Sequence, residues 1–477
     1  MMNEILDAVT QYLWIYLLLV LVSIIILLTI ESRDPRNVLL WALVFIVFPV
    51  IGFVVYLIIG RAYYSQYTFG LKGIKDEKFN ELMKIEERLM DSGQDSDMAH
   101  TMKNLGATGY TNNNSVELIT EGEDYFENLF RDLREAKDFI HCEFFLIRYD
   151  HIGNEFLNIL TEKVKEGVEV KLMVDDLGMK AVHRKEIKEF KRAGGQFVTF
   201  HRVSSLILSP RKNNRCHRKI VVIDGVISYC GGMNIGTEFI GESEHGYWRD
   251  AMVRMRGGAC IPLEFRFEMD WTYATKEDFP TSERYFSRWE ESPGSTEVQI
   301  VSGGPDVRLT NPIRMQFIEM LRQAKRSAYI QTPYFFPDKS IMDAIRAAAA
   351  DGVEVIITVP DRPDHFFVHW NTLSGAYDAM DAGARVFLFN NGYVHSKTLV
   401  VDGRLCLVGS SNMNGRSMIH DFETNAMIYS EQLAHDMEEV FFRDLQRSTE
   451  YTREDFENRT FGQKVRTVVS RLFRDLS

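Results

Sequence analysis

Two matching stretches of sequence decide the fold of this chain: CHRKIVVIDG at residues 216–225 and VHSKTLVVDG at residues 394–403. Each contains the pattern H-x-K-x-x-x-x-D. Because alternate side chains of an extended strand point to the same face, the histidine and the lysine of each copy can line one side of a cavity. The apolar residues that follow continue the strand into the core. The pattern therefore predicts two equivalent strands, and the two pairs that they deliver are His217 with Lys219 and His395 with Lys397.

The residues after each motif also match. Asn234 ends a GGMN segment and Asn412 ends a GSSN segment, at the same distance from their histidines. Asp224 and Asp402 each precede a glycine, where a turn is expected. We place both aspartates among the candidate catalytic residues, in a supporting role, and a purely structural turn carboxylate is an equally good interpretation.

Both motifs lie in a repeated unit. A helix end runs into a β-rich segment, a second strand follows a G-V-E-V sequence, and a third strand precedes the histidine, in the same order in both halves. The corresponding segments are residues 135–146, 166–176 and 193–200 in the first half and residues 323–336, 351–361 and 382–389 in the second. The chain is therefore predicted to be a duplicated α/β domain, with a mixed sheet flanked by helices and a pseudo-twofold relation between the copies.

The first sixty residues differ from the rest of the 477-residue chain, because residues 8–30 and 37–60 carry no charged side chain. Each stretch is long enough to span a bilayer. A cleaved signal peptide needs a basic start, whereas Glu4 and Asp7 precede the first stretch. We expect a two-helix transmembrane hairpin, with a kink in the second helix at Pro49 and Gly52.

The hairpin completes the predicted domain organisation. Residues 1–62 form the hairpin, residues 63–114 a linker helix and loop, residues 115–290 the first domain, and residues 291–477 the second domain with a C-terminal amphipathic helix. The loop between the spans has fewer basic residues than the segment after them, so the positive-inside rule favours cytoplasmic catalytic domains in a multi-pass membrane protein. The basic residues compared are Arg33 and Arg36 against Arg61, Lys72, Lys75 and Lys78.

Composition excludes several classes of site. A net charge of −12 disfavours general binding of nucleic acid, which relies on a broad basic surface. The five cysteines include no C-x-x-C pair, so we expect reduced, buried thiols and no cysteine zinc site. Four basic residues around the first motif either attract anionic head groups or form a solvated loop: Arg211, Lys212, Arg215 and Arg218.

The paired motifs suit phosphodiester transfer without a metal or other cofactor. One histidine can attack phosphorus while the other serves as acid and then as base. The lysines and the two asparagine amides can hold the non-bridging oxygens as charge develops. A nucleophilic histidine also needs a carboxylate on its other ring nitrogen. Asp250 and Glu423, each at the start of an apolar strand, are the candidates, and each lies in the same half as the histidine that it follows.

At these residues the chain resembles the phospholipase D superfamily, and within it the bacterial cardiolipin synthases. The resemblance rests on CHRKIVVIDG, GGMNIG, SGGPD, TPYFFPD, YVHSK and the apolar hairpin. It implies a bacterial inner-membrane enzyme in which His217 is the nucleophile and His395 the acid and base. That enzyme transfers the phosphatidyl group of one phosphatidylglycerol to another and releases glycerol. Cys216 departs from the family pattern, in which asparagine often precedes the histidine.

Other interpretations remain open at this stage. A membrane-tethered hydrolase would use water as acceptor, other acceptor lipids are possible, and a non-catalytic lipid-binding scaffold would have lost a histidine or a lysine, which this chain has not. The resemblance places His365 and TPYFFPD at the substrate entrance. In the C-terminal helix, one apolar face either lies on a membrane or packs on the second domain. That face comprises Val465, Val468, Val469, Leu472 and Phe473.

Overall fold

The computed structural model describes residues 2–30, 35–56, 97–108, 110–181, 184–200, 214–277, 283–286, 294–305, 311–362 and 364–472. They fall into two compact units. One consists mainly of residues 1–73, and the other holds both histidine motifs.

The described part of the N-terminal unit has three apolar helices: α1 (Met2–Ile30), α2 (Pro35–Val47) and α3 (Pro49–Val55). Tyr12–Thr29 of α1 is long and apolar enough to span a membrane, with a mean hydropathy of 2.7. The second apolar stretch is interrupted at Phe48, whose φ of −136° and ψ of 73° are not helical, because Pro49 follows it. The interruption lies beside the predicted kink, and it leaves α2 and α3 as two short helices instead of one long span.

The three helices pack on one another through a small apolar core of Leu27, Phe45 and Tyr56. Most of their other large side chains face outward, among them Trp14, Leu18, Leu39 and Ile51, which are each at least 56% exposed. An unpaired apolar surface of this kind on a helical pair is typical of a segment surrounded by lipid.

The first half of the larger unit has nine strands and five helices in the described part of the chain. The strands are β1 (Tyr110–Ile119), β2 (Phe139–Phe144), β3 (Glu169–Asp175), β4 (Gln196–Phe200), β5 (Arg215–Cys216), β6 (Ile220–Ile223), β7 (Ile227–Gly231), β8 (Trp248–Arg249) and β9 (Met252–Arg256). The helices are α4 (Asp97–Asn104), α5 (Gly122–Glu135), α6 (His151–Lys165), α7 (Arg184–Ala193) and α8 (Cys260–Thr275).

The second half repeats this order. Its described strands are β10 (Thr296–Gly303), β11 (Ser327–Gln331), β12 (Glu354–Pro360), β13 (Arg385–Phe389), β14 (Tyr393–Val394), β15 (Thr398–Val401), β16 (Leu405–Gly409), β17 (Asp421–Tyr429) and β18 (Ser448–Tyr451). Its helices are α9 (Pro312–Gln323), α10 (Lys339–Ala350), α11 (Phe366–Asp381), α12 (Gly415–Ile419), α13 (Glu431–Leu445), α14 (Arg453–Glu457) and α15 (Phe461–Leu472).

The two halves share one continuous mixed sheet, in the order β18-β13-β12-β11-β15-β16-β17-β10-β1-β9-β7-β6-β2-β3-β4. Strands β2, β3 and β4 are parallel, as are β11, β12 and β13, whereas β6 and β15, which follow the histidines, run antiparallel to their neighbours. The histidine and lysine of each motif precede these strands and are not part of them, contrary to the prediction from the alternating pattern. The order of strands outward from the centre is the same on both sides. The duplicated, mixed α/β architecture predicted from the repeat is therefore confirmed.

The centre of the sheet corrects the predicted linker. The linker of residues 63–114 was expected to end in a loop, but β1 begins at Tyr110, within that linker, and pairs with β10. The asparagine run is accommodated because the Asn114 amide donates to the carbonyls of Thr111 and Thr296. Of the linker helix expected upstream, α4 is the described part, and residues 57–96 lie outside the described residues.

Among the described residues, three large apolar clusters fill this unit. One lies mainly in each half, and the third joins them, because it includes Ile220 and Val222 of β6 together with Val400 of β15 and Val408 of β16. The strands that follow the two histidines are thus packed against a shared interior. All five cysteines are buried and free, as the sequence predicted.

Candidate active site

Two short parallel bridges between the halves position the histidines. Residues Arg215–Cys216, just before His217, pair with the start of β17, and Tyr393–Val394, just before His395, pair with β8. The backbone N–H of His217 donates to the Phe422 carbonyl at 2.9 Å. Its counterpart in His395 donates to the Arg249 carbonyl at 2.7 Å. Each histidine is therefore fixed by the residue immediately before the carboxylate of the opposite half.

The carboxylates are exchanged between the halves as a result. Nδ1 of His217 lies 3.1 Å from Glu423 Oε2, and Nδ1 of His395 lies 2.6 Å from Asp250 Oδ2. The sequence singled out both carboxylates but assigned each to the histidine of its own half, and that assignment is wrong. With Nδ1–H bonded to a carboxylate, each imidazole presents an unprotonated Nε2.

The surroundings of the two carboxylates differ. Glu423 also accepts hydrogen bonds from Ser410 Oγ at 2.5 Å and Ser417 Oγ at 2.7 Å. Asp250 accepts from the backbone of Ala251 at 2.8 Å. It lies so close to Gly232 that a Cβ there would fall 2.1 Å from its Oδ1. The GG of the first half thus makes room for an aspartate, and the GS of the second supplies a hydroxyl to a glutamate.

Burial strongly affects the lysines beside the histidines. Lys219 Nζ donates to the His217 carbonyl at 2.5 Å, and Lys397 Nζ lies 2.8 Å from His395 Nδ1 and 3.9 Å from Asp250. Loss of hydration lowers the pKa of Lys219 to about 8 and that of Lys397 to about 7, against the opposing attraction of the nearby carboxylates. A negative charge added to the site would therefore favour the charged form of each lysine.

Burial affects the pKa values of the two histidines in the same direction. Burial lowers the pKa of His395 to about 4, with a further contribution from Lys397, and burial also lowers the pKa of His217. Burial would raise the pKa of Asp250 and of Glu423, but the neighbouring cationic groups hold both below their usual values. At neutral pH the site thus holds two carboxylates and two neutral imidazoles, and the side chains of His217 and His395 are 14% and 11% exposed.

The asparagines occupy equivalent places after β7 and β16. Asn234 is buried, and its Oδ1 accepts from the backbone of Leu146 at 3.2 Å. Asn412 is also buried, and its backbone N–H donates to Ser417 Oγ at 3.2 Å. Asn412 is therefore bonded to a hydroxyl that also binds Glu423.

The aspartates of the two motifs lie at the other end of their strands. From His217 to Asp224 the chain runs along β6, a distance of roughly 20 Å at about 3.3 Å per residue. Asp224 and Asp402 have φ values of 53° and 55°, and each forms a tight turn with the following glycine, which also has a positive φ. Such a turn tolerates aspartate and glycine better than most residues.

Their carboxylates are used for structure. Asp224 accepts hydrogen bonds from the backbone of Lys137, Asp138 and Phe139, where β2 begins. Asp402 accepts from the backbone of residues 325–327, where β11 begins. The structure therefore places these two aspartates in the turn role that the sequence left open, apart from the histidines.

Two buried arginines that join the halves were missed or misread. Arg218, which was grouped with a basic surface patch, is fully buried and donates to Asp270, the Thr424 hydroxyl and the Gly303 carbonyl. Arg249 donates to Asp444 at 2.9 Å and had no motif to mark it. Of the remaining patch, Arg215 is buried against Asp175, and Arg211 and Lys212 lie outside the described residues.

A cluster away from the paired histidines has the composition of a metal site. His141, Glu264 and Glu268 are buried with their ligand atoms within 4.8 Å of one another. Lys171 already donates to Glu268, however, and Glu169 lies 3.6 Å from the free side of His141. The cluster is thus an ion-paired network that joins α8 to β2 and β3, and we assign it a structural role.

Aromatic rings border the histidines. Phe145 lies 5.4 Å from the His217 ring, and Trp248 lies 5.6 Å from the His395 ring. The ring of Tyr393 lies near that of His395, and Tyr393 also contacts Tyr334. The Tyr334 hydroxyl donates to Asp364. The TPYFFPD segment and the residue before His365 therefore lie next to the second histidine.

Comparison with known proteins identifies relatives along the whole chain. Residues 129–244 and 317–445 match the family model described as cardiolipin synthase, PLD-like domain, and residues 13–61 match the phospholipase D-nuclease N-terminal model. Cardiolipin synthase 2 of Staphylococcus epidermidis is 37% identical over 470 residues, which cover 95% of each chain. A cardiolipin synthase of Staphylococcus aureus is 38% identical, over 93% of this chain and 92% of the relative.

A solved structure supports the fold. The crystal structure of a phosphatidylserine synthase from Haemophilus influenzae aligns with a TM-score of 0.59 at 16% identity, and it covers 76% of this chain and 95% of its own.

Proposed function

The chain belongs to the cardiolipin synthase family of phospholipase D-like proteins, and we propose that it joins two phosphatidylglycerol molecules into cardiolipin with release of glycerol. Family membership makes it a phosphatidyltransferase. The observation that carries the proposed mechanism is the exchange of carboxylates, which gives each of two histidines an oriented Nδ1 and an available Nε2.

In the first step, Nε2 of His217 attacks the phosphorus of phosphatidylglycerol, and the bond from phosphorus to the glycerol oxygen breaks. His395 gives its Nε2 proton to that oxygen, and glycerol leaves. His395 is neutral in the empty site, but the negative phosphodiester favours its protonated form. Lys219 and Lys397 stabilise the charge that develops on the phosphoryl oxygens. The product of this step is a phosphatidyl-histidine.

In the second step, the glycerol head group of another phosphatidylglycerol provides the acceptor hydroxyl. His395 takes the hydroxyl proton, the oxygen attacks phosphorus, and the phosphorus–nitrogen bond to His217 breaks. Glu423 stabilises His217 while it carries positive charge, and Asp250 does the same for His395. The near symmetry of the two half-sites makes the opposite assignment of nucleophile and acid the principal alternative.

The N-terminal unit suits this substrate. We propose that its helices anchor the enzyme in the bacterial inner membrane as a multi-pass segment, with the catalytic domains on the cytoplasmic side. The apolar α1 and the match of residues 13–61 to a phospholipase D N-terminal model support the anchoring. Both reactants are then confined to the same bilayer as the enzyme, which raises their effective concentration.

Product analysis tests the proposal. Full-length enzyme purified in detergent should convert phosphatidylglycerol into cardiolipin and an equal amount of glycerol. His217→Ala and His395→Ala should each abolish turnover while the protein remains folded by circular dichroism. Wild-type enzyme denatured with detergent at mildly alkaline pH, where a phosphorus–nitrogen bond to histidine survives, should carry a labelled phosphatidyl group that His217→Ala lacks.

Two results would contradict the proposal. Phosphatidic acid as the only lipid product would make the enzyme a hydrolase, with water as acceptor. Full activity of either single histidine variant would rule out a site shared by both halves. A phosphatidyl product formed only after addition of serine or another lipid would keep the mechanism and change the acceptor.

A further inference from the structure

The C-terminal helix α15 packs on the second half through its polar side. Thr467 and Ser470 are buried, at 3% and 0% exposure. By contrast Phe461 is 84% exposed and Val468 is 62% exposed, and Val465 and Val469 are also exposed. This is the reverse of an ordinary surface helix, whose apolar stripe faces the core.

The geometry of the helix shows that the reversal is complete. Successive residues turn by about 100°, so Phe461, Val465 and Val468 lie on one stripe, and the buried Thr467 and Ser470 lie on roughly the opposite side. The sequence left two interpretations of the apolar face open. The structure contradicts the one in which that face packs on the second domain, while Phe473 lies outside the described residues.

Basic residues flank the apolar stripe on both sides. Lys464 is exposed next to it, the Arg466 guanidinium lies over the Trp370 ring on one flank, and Arg471 donates to Ser374 on the other. The last two contacts hold the helix on α11. A basic, amphipathic helix with its apolar residues turned outward has the composition of an interfacial membrane helix.

The supporting helix α11 links this surface to the reaction site. Asp364, which accepts from Tyr334, lies just before α11, and Tyr334 contacts Tyr393 near His395. Trp370 and Ser374, which contact α15, lie one to two turns further along α11. The helix that carries the exposed stripe, α15, is therefore held in place by α11, which begins near the tyrosines beside His395.

We propose that the apolar stripe of α15 inserts into the lipid bilayer surface as a second membrane contact, separate from the N-terminal helices. The flanking cations favour an anionic surface, because phosphatidylglycerol head groups are negatively charged. In a symmetric dimer formed through this stripe, the flanking cations of one chain would face those of the other. Their repulsion disfavours a second copy of this chain as the partner that covers the stripe. The contact holds the site entrance near the lipid head groups that it must reach.

A depth measurement on the full-length enzyme tests this proposal. Val468→Cys is labelled with the environment-sensitive fluorophore NBD, since the five native cysteines are buried. The protein is reconstituted into vesicles of phosphatidylcholine with or without phosphatidylglycerol. Emission should shift to the blue and be quenched by doxyl-labelled lipids, more strongly with phosphatidylglycerol present. The matched control is Glu457→Cys, an exposed position on α14 that should stay in water.

The readout does not depend on catalysis, so it distinguishes failure of this proposal from failure of the proposed function. Emission from residue 468 that matches the control in every vesicle would overturn the proposal. A blue shift that depends on protein concentration and is not quenched by doxyl lipids would also overturn it, because it would show that another protein chain covers the stripe.

Discussion

Glu423→Gln is the sharpest test of the exchanged carboxylates. Glu423 is fully buried and bonds to His217 and to the hydroxyls of Ser410 and Ser417. Glutamine has nearly the same shape. The serine hydroxyl that faces its carbonyl oxygen can still donate, and the one that faces its NH2 group can turn and accept. The substitution therefore removes one negative charge from beside His217 while the packing is retained.

The expected loss follows from that missing charge. A hydrogen bond to a charged group contributes about 1.5–3 kcal/mol, which corresponds to a loss of about 10- to 150-fold in rate. His217 can also adopt the wrong tautomer once the carboxylate is gone, and in serine proteases the corresponding change costs about 10⁴-fold in kcat. We expect kcat to fall by roughly 10²- to 10⁴-fold, with KM for phosphatidylglycerol little changed.

The assay is the initial rate of cardiolipin formation in mixed micelles, together with the amount of covalent phosphatidyl-enzyme after a rapid quench with detergent at mildly alkaline pH. Glu423→Gln should slow formation of the intermediate, as a defect in His217 requires. Asp250→Asn is the matched variant on the other histidine. It should slow the first step, in which His395 protonates the glycerol oxygen, and also the second step, in which His395 takes the proton of the acceptor hydroxyl. The reasoning would be refuted if Glu423→Gln kept more than a tenth of wild-type kcat. It would also be refuted if the kinetic effect of Glu423→Gln depended on the residue at position 395 and not on the residue at position 217.

Two further predictions follow from the same structure. Lysine is charged only below its pKa, and the pKa of Lys397 is about 7 in the empty site. Above pH 7 its loss of charge should make kcat/KM fall about tenfold more per pH unit than below pH 7, where protonation of His395 alone sets the slope, whereas kcat persists to higher pH. The same slope of kcat/KM on both sides of pH 7 would contradict this. Asp224→Ala should lower the free energy of unfolding by about 2–4 kcal/mol, because it removes a charged acceptor from three backbone amides at a positive φ. Thermal melts in detergent should show the destabilisation, and any folded fraction should keep its activity per molecule; an unchanged melting temperature would exclude the structural role.

Local patterns in the sequence were enough for most of the fold. The repeated strand and helix segments and the alternation around His217 and His395 predicted the duplicated α/β architecture, because those patterns depend on neighbours in sequence. The start of β1 was missed, since its asparagines look like a loop until β10 supplies their partners. The helix break at Phe48 was close to the predicted kink because proline restricts the residue before it.

The site was predicted in part for the same reason. Both carboxylates were found from their position before an apolar strand, but their partners were misassigned, since separation in sequence favoured the same half. Only the bridges from β5 to β17 and from β14 to β8 bring Glu423 to His217 and Asp250 to His395. Arg218 was misread because no local pattern marks an arginine that donates to Asp270 in its own half and to Thr424 and Gly303 in the other.

The exchange of carboxylates also restricts how such a chain can evolve. A substitution near Glu423 changes the chemistry of a histidine encoded in the other half of the gene. Divergence of one copy around its carboxylate therefore affects the histidine of the other copy. Cutting the chain between the halves would leave both histidines without their carboxylates, and two separate fragments would have to reassemble before either regained one. Since the duplication, each copy has therefore depended on the other for the carboxylate beside its histidine.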